Sequence, residues 1–317
     1  MDLILKDVVV SGLAFAPGIS ENQACYAATA SGVYRSHDGG ETWQETTAAL
    51  GVNGKIAVTC IACVPSPQGP ALVVAGSSGA VLRSEDGCQS WQAIAVGSPP
   101  AEITSLAVAP DGSLYAGTAE DGVFISRNRG ETWACWNFGL LDLHVFSLAV
   151  LPAVDGSYKV LAGTETGVFA SRDRGRAWRE TDFPFDIGAV LALAAAADPA
   201  RLALFAGTEA GTLFRSTDGE RDWEQVALGP FDAEVSAIVC ARGAVLAASG
   251  DRVALSTDGG DHWEDWNAGT RFPGAILALA VADQPGAPMA SVGSFFAAGS
   301  FFAAGSEGIY RTSQQGS

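Results

Sequence analysis

The sequence predicts an all-β fold, a seven-bladed β-propeller of four-stranded antiparallel blades, on three observations. A box of the form Ser-x-Asp/Asn-x-x-x-x-Trp occurs six times, as SHDGGETW (36–43), SEDGCQSW (84–91), SRNRGETW (126–133), SRDRGRAW (171–178), STDGERDW (216–223) and STDGGDHW (256–263). The Ser-to-Ser steps are 48, 42, 45, 45 and 40 residues, and a fixed motif at this period marks an array of one supersecondary unit of blade size. Between boxes the chain breaks into short apolar runs punctuated by Gly-rich turns, four runs to a repeat. The third observation is a partial seventh unit at the C-terminus, with a spare strand at the N-terminus to complete it.

The fourth unit shows the order of elements. VFSLAVLP (145–152) reads as an inner strand ended by Pro152, KVLAGT (159–164) as a second strand and ETG (165–167) as a tight turn. VFASRDRGRAWRET (168–181) holds a third strand, the box turn and a fourth strand carrying Trp178. Inner strands recur as ITSLAVAP (103–110), VLALAAAA (190–197), VSAIVCA (235–241) and ILALAVA (276–282). Second strands recur as SLYAGT (113–118), LALFAGT (202–208) and AVLAAS (244–249). Alanine suits the inner strands, where the taper toward the channel admits only small side chains.

The box reads as scaffolding. Its Ser and Asp side chains bond backbone N–H groups of the turn. Gly40, Gly130, Gly175 and Gly260 supply positive φ, and the Trp buries a large apolar surface between sheets. The structural set is Ser36, Asp38 and Trp43; Ser84, Asp86 and Trp91; Ser126, Asn128 and Trp133; Ser171, Asp173 and Trp178; Ser216, Asp218 and Trp223; and Ser256, Asp258 and Trp263. Cys88 and Glu220 stand in the Gly position of their boxes, with Gly87 and Gly219 one residue earlier, which points to a different turn there.

The last unit, SFFAAGSEGIYRTSQQGS (300–317), stops before any Trp. Aligned on GVYRSHDGG (32–40), its Thr312, Gln314 and Gly316 fall on the box Ser, Asp and Gly. DLILKDV (2–8) precedes the first inner strand, SGLAFAP (11–17), and is expected to be the outer strand of this last blade. Residues 1–317 then form one domain, a ring without exposed edges. GSFFAA occurs in tandem at 293–298 and 299–304; the second copy fits the repeat, so 294–299 reads as a duplicated insert.

Lys and Arg number 18 and Asp and Glu 35, for a net charge of −17. Such a surface repels phosphate backbones and anionic lipid, which excludes nucleic acid and membranes and favours a protein partner, a basic one above all. No run approaches the ~20 apolar residues of a bilayer span. The start, MDLILKDVVVSGLAFAPG, lacks a basic n-region and carries Asp2 and Asp7, so the expectation is a soluble, cytoplasmic protein. No metal or cofactor is expected. Cys60 and Cys63 form a CxxC on an alternating strand, where odd spacing sends the thiols to opposite faces. His37 and His262 lie in box turns, His144 stands apart, and no HxH, HExxH or nucleophile elbow occurs.

The six boxes make nearly the whole chain resemble the Asp-box, or BNR, repeat family of β-propellers. That superfamily includes sialidases, xyloglucan-degrading glycosidases, the sortilin ectodomain and the photosystem II assembly factor family. The resemblance implies that the boxes lie opposite the ligand site, and it specifies fold far better than function. In size, blade number and short loops the chain is most similar to the photosystem II assembly factors. That likeness implies a non-catalytic scaffold or assembly factor binding a protein through its top face.

On the face opposite the boxes, short turns carry Glu120, Asp121, Glu165, Glu209, Asp251 and Glu307, a ring of carboxylates. Longer loops read NFGLLDLHV (137–145), TDFPFDIGAV (181–190), ALGPFDAEV (227–235) and NAGTRFPGA (267–275). Their Phe138, His144, Phe183, Phe185, Phe231, Arg271 and Phe272 are candidate ligand contacts, for a protein hot spot or a sugar ring. The competing expectation is that the phenylalanines plug the top of the core. A sialidase needs convergent arginines and an activated Tyr; the long loops offer Arg271 and no Tyr. A glycoside hydrolase needs two carboxyls, with Asp142, Asp186, Asp232 and Glu234 as candidates. Glycosidase and lectin-like sugar binder are the alternatives to the protein scaffold.

Overall fold

A computed structural model describes residues 2–311 apart from 17–23, 49, 51–54, 67–69, 154, 199–200, 230, 242, 267–270 and 282–300. Among the described residues, 28 strands make seven antiparallel sheets of four. Six sheets are consecutive repeats: blade 1 spans 10–45, blade 2 58–95, blade 3 103–135, blade 4 145–180, blade 5 190–226 and blade 6 235–265. Blade 4, for instance, comprises β14 (Val145–Pro152), β15 (Tyr158–Thr164), β16 (Val168–Ser171) and β17 (Arg179–Glu180).

Blade 7 joins the two ends of the chain. Its order from the outside is β1 (Asp2–Lys6), β28 (Gly308–Arg311), β27 (Phe301–Gly305) and β26 (Ile276–Val281). Leu3 pairs with Tyr310, Leu5 with Ile309 and Lys6 with Gly308, so the N-terminal strand closes the ring as the sequence predicts. It ends at Lys6, two residues before the expected boundary. The second GSFFAA copy supplies β27; the insert 294–299 and Thr312, Gln314 and Gly316 lie outside the described residues.

The core is divided among the junctions between blades. Ile125 and Tyr115 of blade 3 meet Leu148, Phe169 and Trp178 of blade 4, and equivalent clusters fill the other gaps around the ring. Cys60 packs toward blade 3 and Cys63 toward blade 1, the opposed arrangement that alternation requires.

Near its start every inner strand steps out of register by one residue, at Ser11, Thr59, Thr104, Phe146, Leu191, Ser236 and Leu277. Such a bulge re-aims side chains. Here it turns hydroxyls sideways: Ser11 donates to Val58 O (2.8 Å), Thr59 to Ile103 O and Thr104 to Val145 O of the next blade. Ser147 donates to Val190 O (3.0 Å) and Ser236 to Ile276 O (2.6 Å). Five junctions are thus tied around the channel mouth by side chain–backbone bonds. The Ser/Thr near the start of five of the seven inner runs is the sequence signal for this belt.

The box is a folded unit of its own. Gly40 N–H donates to Ser36 Oγ (2.8 Å), Ser36 Oγ–H to Asp38 Oδ1 (2.7 Å), and Glu41 and Thr42 N–H to Asp38 Oδ1 (2.9 Å each). Boxes 3, 4 and 6 repeat the Gly N–H to Ser Oγ bond at 2.8 Å. Cys88 keeps this turn, donating its N–H to Ser84 Oγ (2.9 Å) at a left-handed φ of 67°; the expectation of a different turn there is not met. Box 5 does differ. Asp222 accepts from Ser216 Oγ and Thr217 N, and the displaced Glu220 reaches back to blade 4, pairing with Lys159 (3.0 Å) and Arg172. Trp43, Trp133 and Trp263 donate Nε1–H to the carbonyl of the box Gly. Trp91 and Trp223, in the two variant boxes, leave Nε1 without a partner.

These bonds set a pH limit. Donors from Ser90 and Ser84 hold the Asp86 carboxyl down at about 2, against an ordinary 3.8. Desolvation opposes ionisation of Asp38, Asp173 and Asp258, but N–H and O–H donors within each box outweigh it and hold them low as well. A depressed carboxyl contributes stability that is complete above the unfolded value near 4 and lost as pH falls through the folded value. The melting temperature is therefore expected to hold from pH 5 to 7 and to fall steeply between pH 4 and 2. A melting temperature unchanged at pH 2.5 would show that the boxes do not pin the blades.

Candidate functional site

Antiparallel order places the box turns on one face. The strand two–three turns and the loops between blades lie on the other, the loop face. Thr118 and Thr164 Oγ1 donate to Gly122 O (2.8 Å) and Gly167 O (3.1 Å) and close two of these turns. Glu120, Asp121, Glu165, Glu209 and Glu307 stand exposed on them. Asp251 is half-buried and pairs with Arg271 at 3.2 Å, so Arg271, a candidate ligand contact, already has a carboxylate.

Three of the five candidate phenylalanines fill the core, which corrects the expectation that they face a ligand. Phe183 (3% exposed) packs edge-on to Phe214 and Trp223 of blade 5 at 5.0 Å. Phe231 (7%) lies under Arg252 in the gap between blades 5 and 6. Phe272 (4%) meets Tyr310 at 5.2 Å. Leu140 holds the corresponding place against Trp178. Leu140, Phe183, Phe231 and Phe272 follow one another by 43, 48 and 41 residues, close to the box period. That spacing marks a repeat position of the core and was the available signal.

Phe138 and Phe185 stand out in solvent at 81% and 66% exposure. Phe138 lies toward the rim, its carbonyl accepting from Trp178 N (2.8 Å). Arg127 and Arg176 cover the nearby Trp136 ring at 4.7 and 5.6 Å. Phe185 precedes Asp186, which takes φ 61°, a left-handed position that Asp tolerates. Three further apolar side chains, in the Phe138 loop and at the start of β14, are exposed: Leu141 (80%), Leu143 and Phe146. Sequence reasoning missed these three. Phe146 carried a signal, because blades 1, 2, 3 and 6 place Ser or Thr at that bulge.

Asp142 anchors this group. Its Oδ2 accepts from Thr166 N and Oγ1 (2.9 Å each) and its Oδ1 from His144 N (3.0 Å). His144 Nδ1 sits 3.4 Å from Asp142 and 3.3 Å from Glu165. Burial opposes ionisation of Asp142, but these donors prevail and its pKa lies below the ordinary carboxylate value. A carboxyl so engaged ties the 137–144 loop to the blade 4 turn, and its lowered pKa opposes a role as general acid. Asp142→Ala is expected to cost about 1–3 kcal/mol by removing the charge-assisted hydrogen bonds that tie the loop to the turn, read as a lower urea midpoint. Asp186, Asp232 and Glu234, the other candidate carboxylates, are exposed on two separate loops. Among the described residues no group of His, Cys, Asp and Glu is placed to hold a metal ion, and no helix is long and apolar enough to cross a membrane.

Seven four-stranded blades, six of them carrying a Ser-x-Asp/Asn-x-x-x-x-Trp turn, define a β-propeller with Asp-box turns. The BNR/Asp-box repeat pattern matches residues 34–45, and no curated protein matches the chain in sequence. Among solved structures it is similar to the GH74 xyloglucanase from Xanthomonas campestris (20% identity, TM-score 0.71) over 98% of this chain and 53% of the enzyme. YCF48 from Cyanidioschyzon merolae aligns at 16% identity and TM-score 0.65 over 96% of this chain and 95% of its own. The extracellular domain of a one-component system from B. thetaiotaomicron aligns at 15% identity and TM-score 0.68, over 98% of this chain and 39% of that one. The chain thus spans about two fifths of that domain and half of the xyloglucanase. At these identities the likeness is one of fold.

Proposed function

We propose that this propeller is a non-catalytic scaffold that binds a protein partner through its loop face. The observation that carries the reading is that, among the described residues, five of the seven exposed large apolar side chains, Phe138, Leu141, Leu143, Phe146 and Phe185, fall in blade 4 or the loops that flank it. Exposed apolar side chains gathered in one place mark interaction surfaces. YCF48, a propeller of matching length, is also known bound to a D1 peptide, which supports protein recognition on this architecture. The sugar-cleaving alternative loses Asp142 to structural bonding and retains only carboxylates on open surface.

Leu141→Ser/Phe185→Ser removes two exposed side chains and should leave the melting temperature within about 2 °C of wild type. A near-stoichiometric protein recovered from native lysate by wild type and lost by this variant supports the scaffold. Hydrolysis of oligosaccharides by wild type, abolished in any two of Asp186→Ala, Asp232→Ala and Glu234→Ala, would replace it with a glycosidase.

A further inference from the structure

The exposed apolar side chains do not share their surroundings evenly between charges. Leu143 O accepts from Gly122 N (3.0 Å), so Leu143 lies against the turn that carries Glu120 and Asp121. Leu141 flanks Asp142, which is bonded to the turn carrying Glu165. The Phe185 loop touches the next turn, where Glu209 N donates to Ala189 O (2.9 Å). Three acidic turns and two apolar loops therefore interleave across blades 3, 4 and 5. The segments 118–122, 137–145, 164–167, 181–189 and 208–212 hold seven carboxylates and no Lys or Arg. Of the ten Lys and Arg in blades 3, 4 and 5, six (Arg127, Arg129, Arg172, Arg174, Arg176 and Arg179) flank or lie within the third and fourth boxes.

We infer that this sector of the loop face binds a short basic-apolar segment of the partner, in which Leu, Ile or Phe side chains alternate with Lys or Arg. The inference rests on the scaffold reading and adds the chemistry of what is bound. The apolar side chains take Leu141, Leu143, Phe146 and Phe185 out of water, and the Lys or Arg residues meet Glu120, Asp121, Glu165 and Glu209. An acidic segment would face the exposed Glu120, Asp121, Glu165 and Glu209 with no Lys or Arg in these segments to compensate. A purely polar basic segment would gain charge attraction alone, which salt screens within ~8–10 Å. Opposite charge at the rim sets on-rate and choice of partner, while the buried apolar centre sets residence time.

The test uses the full chain and three fluorescent 12-residue peptides: alternating Lys–Leu, alternating Lys–Ser and alternating Glu–Leu. Fluorescence anisotropy at 150 mM salt is expected to show the Lys–Leu peptide binding at least tenfold tighter than either of the others. Leu141→Ser/Phe185→Ser should weaken it at least tenfold. Glu165→Gln/Glu209→Gln should weaken it severalfold and flatten its salt dependence. Glu41→Gln/Glu131→Gln, the same charge change on the box face, should leave it unaltered. Equal binding of the Lys–Leu and Lys–Ser peptides, or equal weakening by the two Glu→Gln pairs, would overturn the assignment. If the Lys–Leu peptide fails while wild type still retains its lysate partner and the Leu141/Phe185 variant does not, the scaffold stands and this chemistry falls. If neither peptide nor partner is retained, both fall.

Discussion

Removal of residues 1–8 is expected to lower the melting temperature by more than about 10 °C. The segment contributes the outer strand of blade 7, paired from Asp2–Arg311 to Lys6–Gly308. Ile4 and Leu5 also pack into the blade 7–blade 1 gap with Val10, Phe302 and Ile309. Two half-buried aliphatics at about 1–2 kcal/mol each and about four backbone bonds at ~1 kcal/mol each sum to roughly 6–8 kcal/mol. At about 2–4 °C per kcal/mol for a domain of this order, the loss is large. The truncation also bares the edge of β28, which invites association between molecules. Calorimetry with light scattering reads both effects, and a synthetic peptide of residues 1–8 added in trans should recover part of the lost stability. An unchanged melting temperature would sink the closure.

The second large effect is expected at Gly260. Its φ is 93°, and a Cβ there would lie 2.7 Å from Cε1 of Phe205, a fully buried ring of blade 5 that stands edge-on to Trp263. Gly260→Ala combines a left-handed backbone cost of about 1–2 kcal/mol with overpacking of about 1–3 kcal/mol, roughly 3 kcal/mol in all. Gly130 is the control. It has φ 82°, but a Cβ would find Leu114 no nearer than 3.5 Å, so Gly130→Ala should cost the backbone share alone. Cys88 shows that a side chain is accommodated at this position of the box at φ 67°. Urea midpoints for the two variants that agree within error would show that the close approach to Phe205 carries no energy.

Both effects act through features that were visible in the residues themselves. The box period gave the blades, and DLILKDV, an apolar run ahead of the first inner strand, pointed to the strand that completes blade 7. The loop face was harder to read because one residue type served two roles there. Phe183 lies in the same loop as Phe185, and Leu140 in the same loop as Phe138, and composition cannot tell a side chain that fills an interblade gap from one two residues away that faces water. Position within the repeat can, since the buried set keeps step with the boxes. Asp142 posed the same difficulty: its bond to Thr166 spans 24 residues, and nothing local marks it as a tether. The hydroxyl belt was missed for the opposite reason. Its Ser and Thr residues repeat in plain sight, but their acceptors lie on the next blade, 40 to 47 residues on.

Hydrogen exchange on the propeller, free and with the protein it retains from lysate, tests partner binding at the loop face most directly. Protection is expected at the backbone amides of 119–122, 138–146, 165–167 and 182–189, with the box turns of blades 3 and 4 unchanged. Protection confined to the box turns, or spread evenly around the ring, would contradict it.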